Sequence, residues 1–137
     1  MARILALDPG TRRCGVAVSD SGETMAFPRP ALVVDARIRD ALKDLCREEE
    51  VELVVVGRPV SLAGSATSST EMADDFFRGL EEAVDVPVIQ VDERLTTSSA
   101  ARHLREAGVS AKEQRSRVDS AAAVVLLEFV LESRRAE

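Results

Sequence analysis

The sequence predicts an α/β fold in which a mixed sheet lies between two layers of helices. Two observations support this prediction. The first two apolar runs, residues 4–7 and 15–19, are separated by a short Gly/Pro turn, which is typical of an antiparallel hairpin. Later apolar runs alternate with stretches of helical periodicity, and strands that are joined through helices are parallel. We therefore expect a sheet whose first three strands are antiparallel and whose later strands are parallel.

The composition is that of one globular domain spanning residues 1–137, with 45% hydrophobic and 31% charged residues. No apolar run approaches the ~20 residues that span a bilayer. The first residues lack the pattern of a secretion signal. Cys14, Cys46 and the single histidine do not have zinc-binding spacing, so reduced thiols are expected. These features predict a cytoplasmic protein with no membrane partner.

The predicted strands are residues 4–7, 15–19, 25–34, 53–57 and 88–91. The third is interrupted by Pro28 and Pro30, which predicts an edge strand or a bulge because proline cannot donate a ladder hydrogen bond. Residues 53–57 are apolar at nearly every position, as in a parallel strand that is covered on both faces.

The predicted helices are residues 35–50, a segment after residue 69, residues 96–107 and residues 119–134. Asp35 is the expected cap of the first helix, and Gly108 ends the third. Residues 58–69 are predicted as a loop because they are rich in Ser, Ala, Thr and Gly. Residues 110–117 are interpreted as a polar connector, so the last helix is expected to begin at Asp119.

Three acidic positions lie at the ends of predicted elements. Asp8 ends the first apolar run, the pair Asp92 and Glu93 follows the last strand, and Asp119 opens the last helix. Ligands of open α/β sheets bind at the carboxyl ends of parallel strands. We therefore expect the three acidic positions to converge there, in a metal site suited to phosphoryl chemistry.

Each position also has a plainer interpretation. Asp8 can cap a hairpin turn. Glu93 can form an ion pair with Arg94 while a following threonine caps a helix, and Asp119 can itself be an N-cap. The three positions taken together favour the metal site over separate caps.

The turn at residues 8–15 has two phosphate-binding interpretations. Gly10 and Gly15 have the spacing of a P-loop, but Val16 and Ala17 stand where that motif needs Lys and Ser/Thr, so the P-loop is rejected. The other interpretation is the Asp-x-Gly-Thr hairpin of RNase H-like folds, in which the Asp binds metal.

The net charge of −6 argues against a simple nucleic-acid coat protein, whose affinity comes from a basic surface. Residues 94–117 nevertheless contain six basic and two acidic side chains, so we expect substrate contact there. Phosphate contacts are predicted for hydroxyl and guanidinium groups near the acidic positions: Thr11, Arg12, Arg13, Arg58, Arg94, Arg115 and Arg117.

Four ordered blocks together resemble the YqgF/RuvX family over nearly the whole chain. The blocks are Asp8-Pro9-Gly10-Thr11 with Gly15-Val16-Ala17-Val18, then Val56-Gly57-Arg58-Pro59, Asp92-Glu93-Arg94-Leu95-Thr96-Thr97, and Val118-Asp119-Ser120-Ala121-Ala122-Ala123. Family members are bacterial proteins described as Holliday-junction-resolvase-like and as nucleases for the 5′ end of pre-16S ribosomal RNA. The resemblance implies an RNase H-like fold.

The resemblance further implies a divalent-metal-dependent endonuclease. Asp8, Asp119 and an acid of the Asp92–Glu93 pair would be the catalytic and metal-binding residues, and the sequence leaves open which of the pair coordinates. Carboxylate oxygens suit Mg²⁺ or Mn²⁺, and two ions are expected. The implied partners are precursor ribosomal RNA or branched DNA, and ribosomal particles.

Two departures from the family pattern concern substrate contacts. The loop at residues 60–64 lacks the polar Asn and Asp that the family often has there, and Arg117 stands where a Lys is common. Two other functions compete with the nuclease: a silent RNA- or ribosome-binding domain of the same fold, and an actin-like ATP-binding module. The second needs another lobe, for which 137 residues are too few.

Overall fold

The computed structural model of the chain describes residues 3–61, 63–96 and 112–135, with side chains in the last range from Ser120 onward. The described elements are β1 (Arg3–Pro9), β2 (Arg13–Ser19), β3 (Ala26–Val33), α1 (Ile38–Glu48), β4 (Val51–Arg58), α2 (Ser68–Ala83), β5 (Val88–Asp92), a 3₁₀ turn (Glu93–Leu95) and α3 (Lys112–Arg135). The described strands form one sheet in the order β3-β2-β1-β4-β5. β1, β2 and β3 are antiparallel, whereas β1, β4 and β5 are parallel. The predicted α/β class and its mixed sheet are confirmed.

Helices cover the two faces of the sheet because side chains alternate along its central strands. Leu5 and Leu7 of β1 belong to the core on the side of α1 and α2. Ile4 and Ala6 belong to the core on the side of α3. We call these the α1/α2 face and the α3 face. Each face therefore has its own apolar core, and the strand ends carry the polar residues.

Helix α3 approaches its face closely because the residues that meet the sheet are small near its start. Ala122 and Ala123 are fully buried, and Leu126 and Leu127 continue the buried stripe. No helix among the described residues combines the length and apolarity needed to cross a membrane.

Ser120 joins α3 to an irregular part of the sheet. Between β2 and β3 the register shifts, from Cys14 opposite Leu32 to Val16 opposite Arg29. The fully buried Ser120 hydroxyl accepts the Val16 N–H (3.2 Å) and donates to the Arg29 carbonyl (2.6 Å). It thus links the two strands where the ladder is disturbed, as the prolines of β3 predict.

The start of the last helix differs from the sequence prediction. Residues 112–118 are helical, so the expected polar connector at residues 110–117 is wrong for its described part, and Asp119 is the eighth residue of α3. Lys, Glu, Gln and Arg at residues 112–115 favour a helix, and no Gly or Pro interrupts them. Asp119 is therefore not the N-cap that the plainer interpretation required.

Two smaller boundaries also differ. Helix α1 begins at Ile38, not at residue 35, although Asp35 accepts the Arg37 N–H in the turn just before it (2.9 Å). β5 extends to Asp92 and is followed by the 3₁₀ turn, which was not predicted. The helix predicted at residues 96–107 lies outside the described residues, except for Thr96, which ends the 3₁₀ turn.

Both cysteines are buried and neither forms a disulfide, as expected for reduced thiols. Burial raises the pKa of the Cys46 thiol to about 11. The thiol is therefore protonated at neutral pH, which makes it a poor nucleophile.

We expect Ser120→Ala to lower the free energy of unfolding by about 1–3 kcal/mol, because Val16 and Arg29 both lose a buried hydrogen-bond partner. Urea denaturation measures this. Ser133→Ala is the matched control, since Ser133 is an exposed serine of the same helix that donates only to the Phe129 carbonyl, and its effect should stay within about 0.5 kcal/mol. Equal effects in the two variants would contradict the role given to Ser120.

Candidate active site

Asp8 is a buried carboxylate at the carboxyl end of β1, with a relative exposure of 1%. Because β1 alternates its side chains, Asp8 follows Ile4 and Ala6 onto the α3 face. Its backbone pairs with Gly15 of β2, so it is held by a regular ladder on that side. A buried carboxylate is costly to keep in a fold unless it is stabilised by partners or by a bound cation.

Glu93 is the second buried carboxylate, with a relative exposure of 4%. Its Oε1 atom lies 2.9 Å from the point where a Cβ atom would sit on Gly57. The same point is 3.4 Å from Cδ2 of Leu126 in α3, so this side of Gly57 belongs to the α3 face. The Glu93 carboxylate therefore lies on the face that carries Asp8.

The strand register brings the two carboxylates to the same edge. Leu7 of β1 pairs with Val56 of β4, so Asp8 and Gly57 are the next residues of neighbouring parallel strands. Such strands are about 4.8 Å apart. A carboxylate that rests on Gly57 consequently lies beside the strand that bears Asp8.

Asp92 has a different environment from Glu93. Its carboxylate receives Arg94 Nη2 at 2.6 Å and Arg94 Nε at 3.1 and 3.2 Å, and it accepts the Arg94 backbone N–H at 2.8 Å. The hydrogen bonds from the Arg94 side chain hold the pKa of Asp92 below its usual value. The pairing of Asp92 with Arg58 in the ladder puts Asp92 on the α1/α2 face. Of the pair, Glu93 is therefore the acid on the face of Asp8.

The backbone of residue 119 lies near this edge because of the position of α3. The adjacent Ser120 is bonded to β2 and β3 at the level of Val16, the partner of Leu7 in β1. Residue 119 precedes Ala123 by four positions and Leu126 by seven, spacings that share one helical face. Its side chain lies outside the described residues.

Arg58, one of the residues predicted to bind phosphate, does not lie on the α3 face with Asp8 and Glu93. Arg58 of β4 donates from Nε and Nη2 to the two oxygens of Asp74 in α2 (2.9 and 3.2 Å). Gln90 of β5 donates to the same carboxylate (2.8 Å). These bonds, from Arg58 first, lower the pKa of Asp74. Arg58 thus binds α2 to the sheet on the α1/α2 face, away from Asp8.

The turn after β1 brings three other predicted residues near Asp8. A Cβ atom on Gly10 would lie 2.6 Å from the Arg13 carbonyl oxygen, so the tight turn requires glycine. Thr11 and Arg12 are exposed, and Arg13 is half-buried at the start of β2. Residues 97–111, which include most of the predicted basic stretch, and the side chains of Arg115 and Arg117 lie outside the described residues.

The described donors fit a hard divalent cation. Two buried carboxylates on one face provide the oxygen ligands that Mg²⁺ and Mn²⁺ prefer. Among the described side chains, no three His, Cys, Asp or Glu residues are grouped for a metal ion. Asp8 and Glu93 thus account for two members of the predicted acidic set, and Asp119 is the candidate for the third.

The chain is similar over nearly its whole length to proteins of one family. A family model described as "RuvX: Holliday junction resolvase" matches residues 2–133. A protein from Anaeromyxobacter sp. is 42% identical over 138 residues, covering 98% of this chain and 99% of its own, and one from Corynebacterium jeikeium is 41% identical over 136 residues, covering 97% and 88%. Both carry the name "Putative pre-16S rRNA nuclease".

Two solved structures have the same fold at low sequence identity. RuvC from T. thermophilus, in complex with a Holliday junction substrate, has a TM-score of 0.60 and 16% identity, covering 98% of this chain and 96% of its own. The fowlpox virus Holliday junction resolvase has a TM-score of 0.52 and 14% identity, covering 96% and 99%. The RNase H-like fold of the resolvases is therefore the fold of this chain.

We expect Gly57→Ala to displace the Glu93 carboxylate, because the new methyl group would lie 2.9 Å from Oε1. The free energy of unfolding should change by less than about 1 kcal/mol, since the displaced atom ends a flexible side chain. Calorimetric Mn²⁺ affinity should fall about 10- to 100-fold, as when the support of a metal ligand is removed. Gly22→Ala, in an exposed turn, is the control. Unchanged Mn²⁺ affinity in Gly57→Ala would contradict the placement of Glu93 at the metal site.

Proposed function

Since this chain belongs to the RuvX family of Holliday junction resolvases, we propose that it is a cytoplasmic, metal-dependent endonuclease that processes the 5′ end of pre-16S ribosomal RNA. The observation that supports this proposal is the position of the Glu93 carboxylate, buried over Gly57 beside the strand of Asp8. Two carboxylates placed in this way at the carboxyl end of a sheet suit phosphodiester hydrolysis.

The cations are coordinated by three carboxylates, those of Asp8, Glu93 and Asp119. Asp8 is held by the β1–β2 ladder and Glu93 by the 3₁₀ turn, so both carboxylates start from ordered backbone. Asp119 supplies the third carboxylate from α3, whose register Ser120 sets. When two Mg²⁺ or Mn²⁺ ions are bound, they supply Lewis-acid activation of water and stabilisation of the leaving oxygen.

Five residues near the acidic positions in the sequence bind the nucleic acid. Thr11, Arg12 and Arg13 lie in the turn that follows Asp8 and bind phosphates on one side of the scissile bond. Arg115 and Arg117 precede Asp119 by four and two residues in α3 and bind phosphates on the other side. Asp92 does not coordinate metal, because its carboxylate is engaged by Arg94 on the other face.

A second candidate substrate follows from the family description, which is that of a Holliday junction resolvase. Branched DNA offers the same phosphodiester to the same carboxylates. A cleavage assay that compares pre-16S RNA with a four-way DNA junction, in Mn²⁺ and in EDTA, distinguishes the two substrates. We expect Mn²⁺-dependent cleavage of the RNA near its 5′ end, and preferential cleavage of the junction would assign the alternative substrate.

We expect Asp8→Asn and Glu93→Gln each to reduce cleavage at least about 10²-fold, the loss typical when one preorganised catalytic group is removed. Asp92→Asn should reduce the cleavage rate by about tenfold or less, because Asp92 affects the position of Glu93 only indirectly, through the 3₁₀ turn. Single-turnover rates measure the difference. Asp75→Asn removes an exposed carboxylate of α2 and is the control. Equal losses in Asp92→Asn and Glu93→Gln would contradict the assignment.

The same carboxylate variants should keep their fold without metal. Asp8→Asn removes a buried charge beside a second carboxylate, so its melting temperature in EDTA should equal or exceed that of the wild-type protein. Unfolding of Asp8→Asn in EDTA would instead indicate that Asp8 is a structural cap.

We expect the double substitution Arg115→Ala and Arg117→Ala to weaken RNA binding and to reduce the salt slope of log Kd by roughly one unit for each lost phosphate contact. Mn²⁺ affinity should not change, because neither residue is a metal ligand. Fluorescence anisotropy over a series of KCl concentrations measures the slope. An unchanged slope would show that Arg115 and Arg117 do not contact phosphates, and that the RNA binds over Arg12 and Arg13 instead.

A further inference from the structure

We propose that Arg94 is a positioning residue that holds a turn of the β4–α2 loop in place, and that the hydroxyl groups of this loop bind the nucleic-acid backbone. The turn comprises Ser61, Ala63, Gly64 and Ser65, and we call it the Gly64 turn. The choice of nucleic acid as the ligand rests on the proposed function. The contact between Arg94 and the Gly64 turn does not, because it is seen directly in the structure.

The contact leaves no space for a side chain at residue 64. A Cβ atom on Gly64 would lie 2.7 Å from Nη1 and 3.4 Å from Cζ of Arg94. Gly64 also has a φ of +85°, a backbone conformation that other residues rarely adopt. Two independent requirements therefore select glycine at this point, and one of them is the Arg94 guanidinium.

The guanidinium is itself fixed by Asp92. Nε and Nη2 donate to the Asp92 carboxylate, at distances between 2.6 and 3.2 Å, and Nη1 is the nitrogen that faces Gly64. The Gly64 turn is closed by its own hydrogen bonds, from Gly64 N–H to the Ser61 carbonyl (2.8 Å) and from Ser65 N–H to Ser61 Oγ (2.9 Å). Arg94 thus places a preformed turn against the end of β5.

The loop has the chemistry of a backbone-binding segment. Residues 53–70 form the longest stretch of this acidic chain without Asp or Glu, so the loop itself carries no charge that repels phosphate. Exposed or half-buried hydroxyl groups belong to Ser61, Ser65 and Thr67 of the loop and to Ser68 and Ser69 at the start of α2. The loop leaves the carboxyl end of β4, the sheet edge at which Asp8 and Glu93 lie. Serine and threonine hydroxyls are common partners of phosphate oxygens.

If Arg94 instead bound a phosphate directly, the salt dependence of RNA binding in its variants would differ from that expected for a positioning residue. An arginine that neutralises a phosphate releases counterions, whereas neutral hydroxyl groups do not. Because Asp92 already neutralises Arg94, loss of Arg94 under this proposal weakens binding by undocking the loop and leaves the salt slope unchanged. Lysine at residue 94 keeps the charge but lacks the planar group that packs on Gly64.

The experiment uses the full chain in EDTA, so that no cleavage is required. Binding of a short fluorescein-labelled single-stranded RNA is measured by anisotropy for Arg94→Met, Arg94→Lys and Gly64→Ala, with Arg78→Met as control for an exposed arginine paired to a carboxylate. Hydrogen exchange of the Gly64 and Ser65 amides is measured in the same variants.

We expect all three test variants to raise Kd about tenfold, which corresponds to one or two lost hydrogen bonds. The salt slope should stay at the wild-type value and exchange of the two amides should become faster, while Arg78→Met changes neither. A slope lowered by about one unit in Arg94→Met, with normal binding in Arg94→Lys, would overturn the proposal in favour of direct phosphate contact. Unchanged amide exchange in Arg94→Met would overturn the docking itself. RNA binding and amide exchange are both measured without cleavage. A negative nuclease assay therefore counts against the proposed function, whereas a negative binding or exchange result counts against the role of Arg94.

Discussion

The candidate site depends on one close contact, between the Glu93 carboxylate and the backbone of Gly57. A side chain at residue 57 would occupy the place of the carboxylate, since its Cβ would lie 2.9 Å from Oε1. Glycine at the carboxyl end of β4 therefore allows an acid from the turn after β5 to cross a neighbouring strand towards Asp8. Leu126 of α3 lies 3.4 Å from the same Cβ position, so this contact is on the α3 face.

Two adjacent acids have separate tasks in this arrangement. Asp92 lies on the α1/α2 face, where it caps the 3₁₀ turn through the Arg94 N–H and holds the Arg94 guanidinium. Glu93 takes the opposite face and is buried there, and for this reason we propose it as the functional carboxylate of the pair. The exposed Asp92–Arg94 ion pair contributes little to stability. Its hydrogen bonds join the end of β5 to the 3₁₀ turn that carries Glu93.

Several parts of this structure were predictable from the sequence for clear physical reasons. Apolar runs and helical periodicity identified the five described strands and the two helices α1 and α2, because burial on both faces imposes those patterns. The start of α3 was placed too late because Asp119 has the residue type of an N-cap, although the helix-forming residues 112–115 precede it. The choice between Asp92 and Glu93 depended on a glycine on another strand, which local sequence does not reveal. Gly57 was visible as a glycine at the end of an apolar strand, and such a residue often marks a close approach.

We propose that cations bind on the α3 face between Asp8 and Glu93, with Asp119 as the third ligand. Anomalous diffraction from crystals soaked in Mn²⁺ locates the ions directly. We expect anomalous peaks within about 2.2 Å of the carboxylate oxygens of Asp8 and Glu93, close to the distances of Mg²⁺-type coordination, and none at Asp92. A peak coordinated by Asp92, or none at Asp8, would contradict it.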